Sequence, residues 1–133
     1  MDLKKIFNPL INNFDTILNF EDCLISPNGY VKFPNGLILQ WGKYEKETYF
    51  SSGEIITISF PITFPNEVFS FSGIVSPGHN NSITFHFACT INQDLSTSLP
   101  KITNSSVELI VWDENDNTPT QGKGYLWWIA IGY

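Results

Sequence analysis

Two polar segments carry the side chains best suited to hold a ligand. In Ser76-Pro-Gly-His-Asn-Asn81, His79 brings an imidazole, the side chain whose ordinary range lies near neutral pH, and Asn80 and Asn81 add two amides. The second segment follows Trp112 and reads Asp113-Glu-Asn-Asp-Asn117. Carboxylates and amides in such a run offer the paired donors and acceptors that vicinal hydroxyls need. Asp113, Asn115 and Asn117 also have the D-x-N-x-N spacing of a calcium loop. That loop needs glycine at its sixth position and glutamate at its twelfth, where Thr118 and Gly124 stand instead. The calcium pattern fails, no metal or other cofactor is expected, and the segment reads as a polar turn able to meet a sugar. The plainer reading of His79 is a solvated loop histidine, and that of His86 a hydrogen-bonded surface histidine. Tyr44, Tyr49 and Trp112 stand at strand ends, where a ring can stack on a sugar face or close the core.

Catalysis finds little support. No Ser-His-Asp or Cys-His arrangement has a local motif, and no glycine-rich phosphate loop occurs. A glycosidase needs two carboxylates across a groove, and nothing singles out a pair among the acids. No enzyme activity is expected. The two cysteines, Cys23 and Cys89, lie far apart without a C-x-x-C spacing or a neighbouring histidine, so they read as buried free thiols. All seven basic residues are lysine, the net charge is −6, and no basic cluster exists. That excludes a phosphate-tracking surface, and nucleic acid is not an expected partner. No signal peptide or membrane-inserted segment is legible.

The elements that position these residues are strands. Aromatic residues make up 15% of the 133-residue chain and charged ones only 15%, with two alanines, a balance that favours sheets over helices. Residues 1–25 differ: Leu3, Phe7, Leu10, Phe14 and Ile17 follow a spacing of four and three. This predicts a helical stalk or connector, either a short coiled coil or one packed amphipathic helix, interrupted at Pro9. Residues 26–133 form the second unit. Gly29 to Phe33 and Leu37 to Trp41 flank Pro34-Asn35-Gly36 as a hairpin. Further strands are predicted at Glu54–Phe60, Glu67–Val75, Ser82–Ile91, Val107–Trp112 and Tyr125–Tyr133. About seven short strands separated by turns predict an all-β antiparallel sandwich.

The last strand is apolar on both faces. Tyr125, Trp127, Ile129, Ile131 and Tyr133 alternate with Leu126, Trp128, Ala130 and Gly132. One face of a two-layer sandwich meets its core, so the other must meet a second subunit or a further covering layer of the same chain. The Leu126, Trp128, Ala130 and Gly132 face is assigned to the subunit interface.

Three segments together resemble a known family. They are Asn28-Gly-Tyr-Val-Lys-Phe-Pro-Asn-Gly-Leu-Ile-Leu-Gln-Trp-Gly42, Ile58-Ser-Phe-Pro-Ile-Thr-Phe-Pro65 and Trp127-Trp-Ile-Ala-Ile-Gly-Tyr133. Their order and spacing resemble the C-terminal, receptor-binding tip domain of bacteriophage tail fibres, over residues 27–133. More distantly they are similar to H-type lectins, which are trimeric sandwiches that bind sugars near subunit boundaries. The resemblance implies a homotrimer on the virion tail fibre that attaches to a bacterial surface polysaccharide or lipopolysaccharide. It also implies partnership with other tail-fibre or baseplate proteins. The sequence departs from a typical fibre protein in lacking the long repetitive shaft. Residues 1–24 read as a truncated shaft, or the chain as a stand-alone short fibre. A trimerisation cap and a free-standing lectin are the alternative functions. His79, Asn80, Asn81, Trp112, Asp113, Asn115 and Asn117 are the expected receptor contacts.

Overall fold

The computed structural model describes residues 22–78, 87–113 and 119–133. Eight strands occur among them: β1 (Cys23–Leu24), β2 (Gly29–Lys32), β3 (Ile38–Lys46), β4 (Glu54–Ser59), β5 (Val68–Ser76), β6 (Phe87–Ile91), β7 (Ser106–Asp113) and β8 (Gly124–Gly132). All pair antiparallel, in a five-stranded sheet ordered β1-β2-β3-β8-β5 and a three-stranded sheet ordered β4-β7-β6. The all-β antiparallel architecture follows the sequence expectation, and the described residues contain no helix. Of the stalk or connector expected over residues 1–25, residues 1–21 lie outside the described residues. Cys23 and Leu24, placed by sequence in the N-terminal unit, pair instead with Val31 and Tyr30 at the edge of the larger sheet.

Local chemistry explains the registers. In the β2–β3 hairpin, Gly36 takes a positive φ of 89°, a region that L side chains enter reluctantly. Its N–H donates to Phe33 O at 2.9 Å, and the Asn35 side chain accepts from Leu37 N–H at 3.1 Å. β4 and β7 alternate strictly, so Ile56, Ile58, Val107, Leu109 and Val111 turn inward while Thr57, Glu108 and Trp112 turn out. From the larger sheet, Ile38, Leu126, Trp128 and Ala130 meet them. Phe60 and Phe64 close the core, with Phe60 edge-on to Phe64 at 5.4 Å and against Trp128 at 5.6 Å. Rings of this size dominate the burial energy, about 3–5 kcal/mol each on truncation.

The two apolar faces of β8 are resolved in a way that reverses the sequence assignment. Leu126 and Ala130 are fully buried and Trp128 is 6% exposed, all within one chain. Together with buried Gly132 they belong to the sandwich core, because the second sheet lies on that side. Side chains already buried by their own chain have no surface left for a neighbour. The face that remains open carries Trp127 (45% exposed), Ile129 (43%) and Tyr133 (41%). Register brings Leu39 and Trp41 beside it from β3 and Ile74 from β5, and Phe69 stacks on Tyr133 at 4.9 Å.

Candidate receptor-binding end

β3, β5 and β7 all finish at one end of the sandwich, where β4, β6 and β8 begin. Three connections therefore leave from this end: residues 47–53, those after Ser76, and those after Asp113. Their bases are locked to one another. Phe50, fully buried, anchors the first connection, and Tyr44 stacks beside it at 6.1 Å. Phe50 N–H donates to Pro77 O at 2.8 Å, and Gly124 N–H donates to Thr48 O at 2.8 Å. Gly124 has no room for a side chain, since an added Cβ would lie 2.8 Å from the Phe50 ring. Gly78, at a φ of 122°, sits tightly against Tyr49, Pro119 and Gln121, so the bases of the second and third connections also touch.

The ionic frame reinforces this end. Lys46 Nζ bridges both oxygens of Glu54 at 2.7 and 2.8 Å, and Glu54 also accepts from Ser51 N–H at 3.0 Å. Lys123 links Glu47 at 2.9 Å and Glu45 at 3.1 Å, tying the third connection to β3. Those two carboxylates, Glu47 foremost, hold the Lys123 ammonium above the usual lysine range. Hydrogen bonds from Lys43 and then Lys123 hold Glu45 below the usual carboxylate range. Lys43 also lies 4.5 Å from the centre of the Tyr125 ring, which stacks on Trp127 at 5.7 Å.

Of the expected receptor contacts, His79, Asn80, Asn81, Asn115 and Asn117 lie outside the described residues, as does His86. Trp112 is on the outer face of the three-stranded sheet and 40% exposed, open to a ligand. Asp113 is different: β7 runs one residue further than sequence suggested, which turns Asp113 inward to 3% exposure. Its N–H donates to Ser52 Oγ at 3.3 Å, so it ties β7 to the first connection rather than presenting a carboxylate. Tyr44 closes the core, whereas Tyr49 is half-buried beside Gly78. Neither cysteine is paired; Cys23 is exposed, contrary to expectation, and burial pushes the Cys89 thiol up. Among the described residues no group of metal-binding side chains occurs, and no helix long and apolar enough to cross a membrane.

Residues 32–133 match the family described as "Putative tail fiber protein gp53-like, C-terminal". The chain is 32% identical over 123 residues to "Uncharacterized protein MJ0347" of Methanocaldococcus jannaschii, covering 92% of this chain and 73% of that one. Among solved structures, the fold is similar to the N-truncated R1-type pyocin tail fibre, with a TM-score of 0.61, 22% identity and 84% of each chain covered. A longer R1 pyocin fibre from P. aeruginosa matches with a TM-score of 0.61 and 20% identity, over 84% of this chain and 27% of that one. For the N-truncated R2-type pyocin fibre the values are 0.56 and 17%, and this chain spans 36% of its length.

Proposed function

The chain belongs to the gp53-like tail-fibre C-terminal family, and from that footing we propose that it is a trimeric fibre tip that attaches its particle to a host-surface glycan. The observation that carries this reading is the polarity of the fold. Asp22, the first described residue, lies at one end of the larger sheet, where its carbonyl accepts from Lys32 N–H at 3.0 Å beside the β2–β3 turn. The three braced connections leave from the opposite end, separated from that point by the nine residues of β3, about 30 Å. A shaft joined at the first end would hold the second end toward the host.

Trimer formation is assigned to the open face of β3, β8 and β5. Trp127, Ile129, Ile74, Phe69 and Tyr133 form a contiguous apolar surface of a kind that monomers seldom leave in water. A three-fold axis beside this face would bury it in three identical copies. The outer face of the three-stranded sheet, with Thr57, Glu108 and Trp112, would then face solvent. Three weak sites on one rigid tip gain avidity without new contacts, and attachment needs no catalysis. Bacterial surface polysaccharide or lipopolysaccharide is the proposed receptor class, and other tail-fibre or baseplate proteins the proposed neighbours.

The same apolar face also favours a second reading, in which the domain only caps and registers the fibre. Retention of the labelled protein on arrayed surface polysaccharides and on host cells separates the two. Attachment predicts retention that falls about tenfold or more in Trp112→Ala and Tyr49→Ala variants with unchanged melting temperature. A folded trimer retained by no cell or polysaccharide would leave the cap.

A further inference from the structure

Away from the loop end, residues 92–105 join β6 to β7 and double back on themselves. Asn92 N–H donates to Glu108 O at 2.7 Å, Lys101 N–H to Asn92 O at 2.7 Å, and Glu108 N–H to Lys101 O at 2.9 Å. The tip is closed by Asp94 N–H to Leu99 O at 2.9 Å and Ser98 N–H to Asp94 O at 2.7 Å, with Ser98 at a φ of 58°. Between this arm and the outer face of β4 and β7 lies a hollow of about 330 Å³. Its walls include Thr57, Asp94, Leu99, Lys101, Thr103 and Glu108.

The two carboxylates are anchored in the same way. Asp94 Oδ1 accepts from Ser96 N–H at 2.7 Å, from the Ser96 hydroxyl, and from Thr97 N–H at 3.3 Å. Glu108 Oε1 accepts from Asn92 Nδ2 at 2.6 Å and Lys101 Nζ at 2.9 Å. No bond among the described residues engages Asp94 Oδ2 or Glu108 Oε2. Each group is thus oriented through one oxygen and offers the other. Leu99, 63% exposed, adds an apolar wall beside them. Ser96 holds Asp94 below the usual carboxylate range, and Lys101 does so for Glu108, so both are ionised at neutral pH against one lysine.

We propose that this hollow is a subsite for one neutral hexose unit of the receptor glycan, on the flank of the tip rather than at its loop end. The inference rests on the attachment reading for its biological setting. Oriented carboxylate oxygens accept from vicinal hydroxyls, Lys101 donates to a hydroxyl or ring oxygen, and the pyranose C–H face lies on Leu99. The excess negative charge disfavours uronic and other acidic sugars. One ring in so open a hollow binds in the millimolar range.

Titration of the whole protein with methyl glycosides, followed by amide shifts in NMR, tests the proposal. A neutral hexoside should shift Asp94, Lys101 and Glu108 amides, and methyl glucuronide should not. Affinity should drop about tenfold in Asp94→Ala and in Glu108→Gln, the latter on a strand and leaving the arm's backbone bonds intact. No shift with any neutral hexoside, or equal affinity in both variants, overturns the subsite. Retention on cells is scored separately. Hexoside binding without cell retention would keep the hollow and sink the attachment reading. Retention lost in Trp112→Ala, with wild-type hexoside shifts absent, would do the reverse.

Discussion

Gln40 is fully buried in an otherwise apolar neighbourhood, and its amide is satisfied in both senses. Nε2 donates to Ile62 O at 2.8 Å, and Oε1 accepts from Ile62 N–H at 2.9 Å, so one side chain stands in for a missing strand partner. Gln40→Leu would remove the partner of both backbone groups of half-buried Ile62, and should cost about 1–3 kcal/mol in urea unfolding. A loss below about 0.5 kcal/mol would show that water replaces the amide. Gly124→Ala should cost about 1–3 kcal/mol by forcing the Phe50 ring aside and loosening the loop bases. A melting temperature unchanged from wild type would contradict that packing. Sequence made the Asn35-Gly36 turn legible, because its positive φ is demanded by local chemistry. Gln40 and Asp113 were not legible: a polar residue in a strand reads as surface until the partner that buries it, 22 residues away for Gln40, is known.

At the scale of elements, exposed ion pairs reinforce segments that backbone bonds already join. Asp22 meets Lys32 at 2.6 Å beside β1, Glu45 meets Lys123 across β3 and the connection into β8, and Glu108 meets Lys101 beside the arm. In each case lysine hydrogen bonds are the leading cause that holds the carboxylate low; for Glu45 the first is Lys43. A carboxylate whose folded pKa lies below its unfolded value, about 4, stabilises the fold above that value. The contribution is lost as pH falls through the depressed folded pKa. Urea midpoints should therefore hold from about pH 7 to pH 5 and drop below about pH 4, with the slope m unchanged. A midpoint rising on acidification would contradict the assignment. Strand positions were legible from period-two alternation and turn residues, whereas sheet order was not. β8 lies between β3 and β5, a neighbour relation set by long-range pairing that no local pattern encodes.

For the whole molecule, the informative feature is the disposition of its faces. The two-sided apolar pattern of β8 was plain in the sequence, yet the side taken by the second sheet was not, since alternation is symmetric between faces. The structure puts Leu126, Trp128 and Ala130 into the core and leaves Trp127 and Ile129 outside. The breaks between strands after Ser76 and Asp113 were legible from turn residues, while the hollow under residues 92–105 was not, because its walls come from β4, β7 and the arm together. A charge on the open face should break the assembly without unfolding the chain: Ile129→Lys is expected to yield folded monomers with unchanged β-sheet circular dichroism. Folded trimers of Ile129→Lys would place the axis elsewhere.

The trimeric tip is tested most directly by the mass of the wild-type protein in solution, measured by light scattering during size-exclusion chromatography. Three chains of 15.1 kDa per particle is the predicted result. A folded monomer at micromolar concentration, with its apolar face open to water, would contradict the trimeric tip.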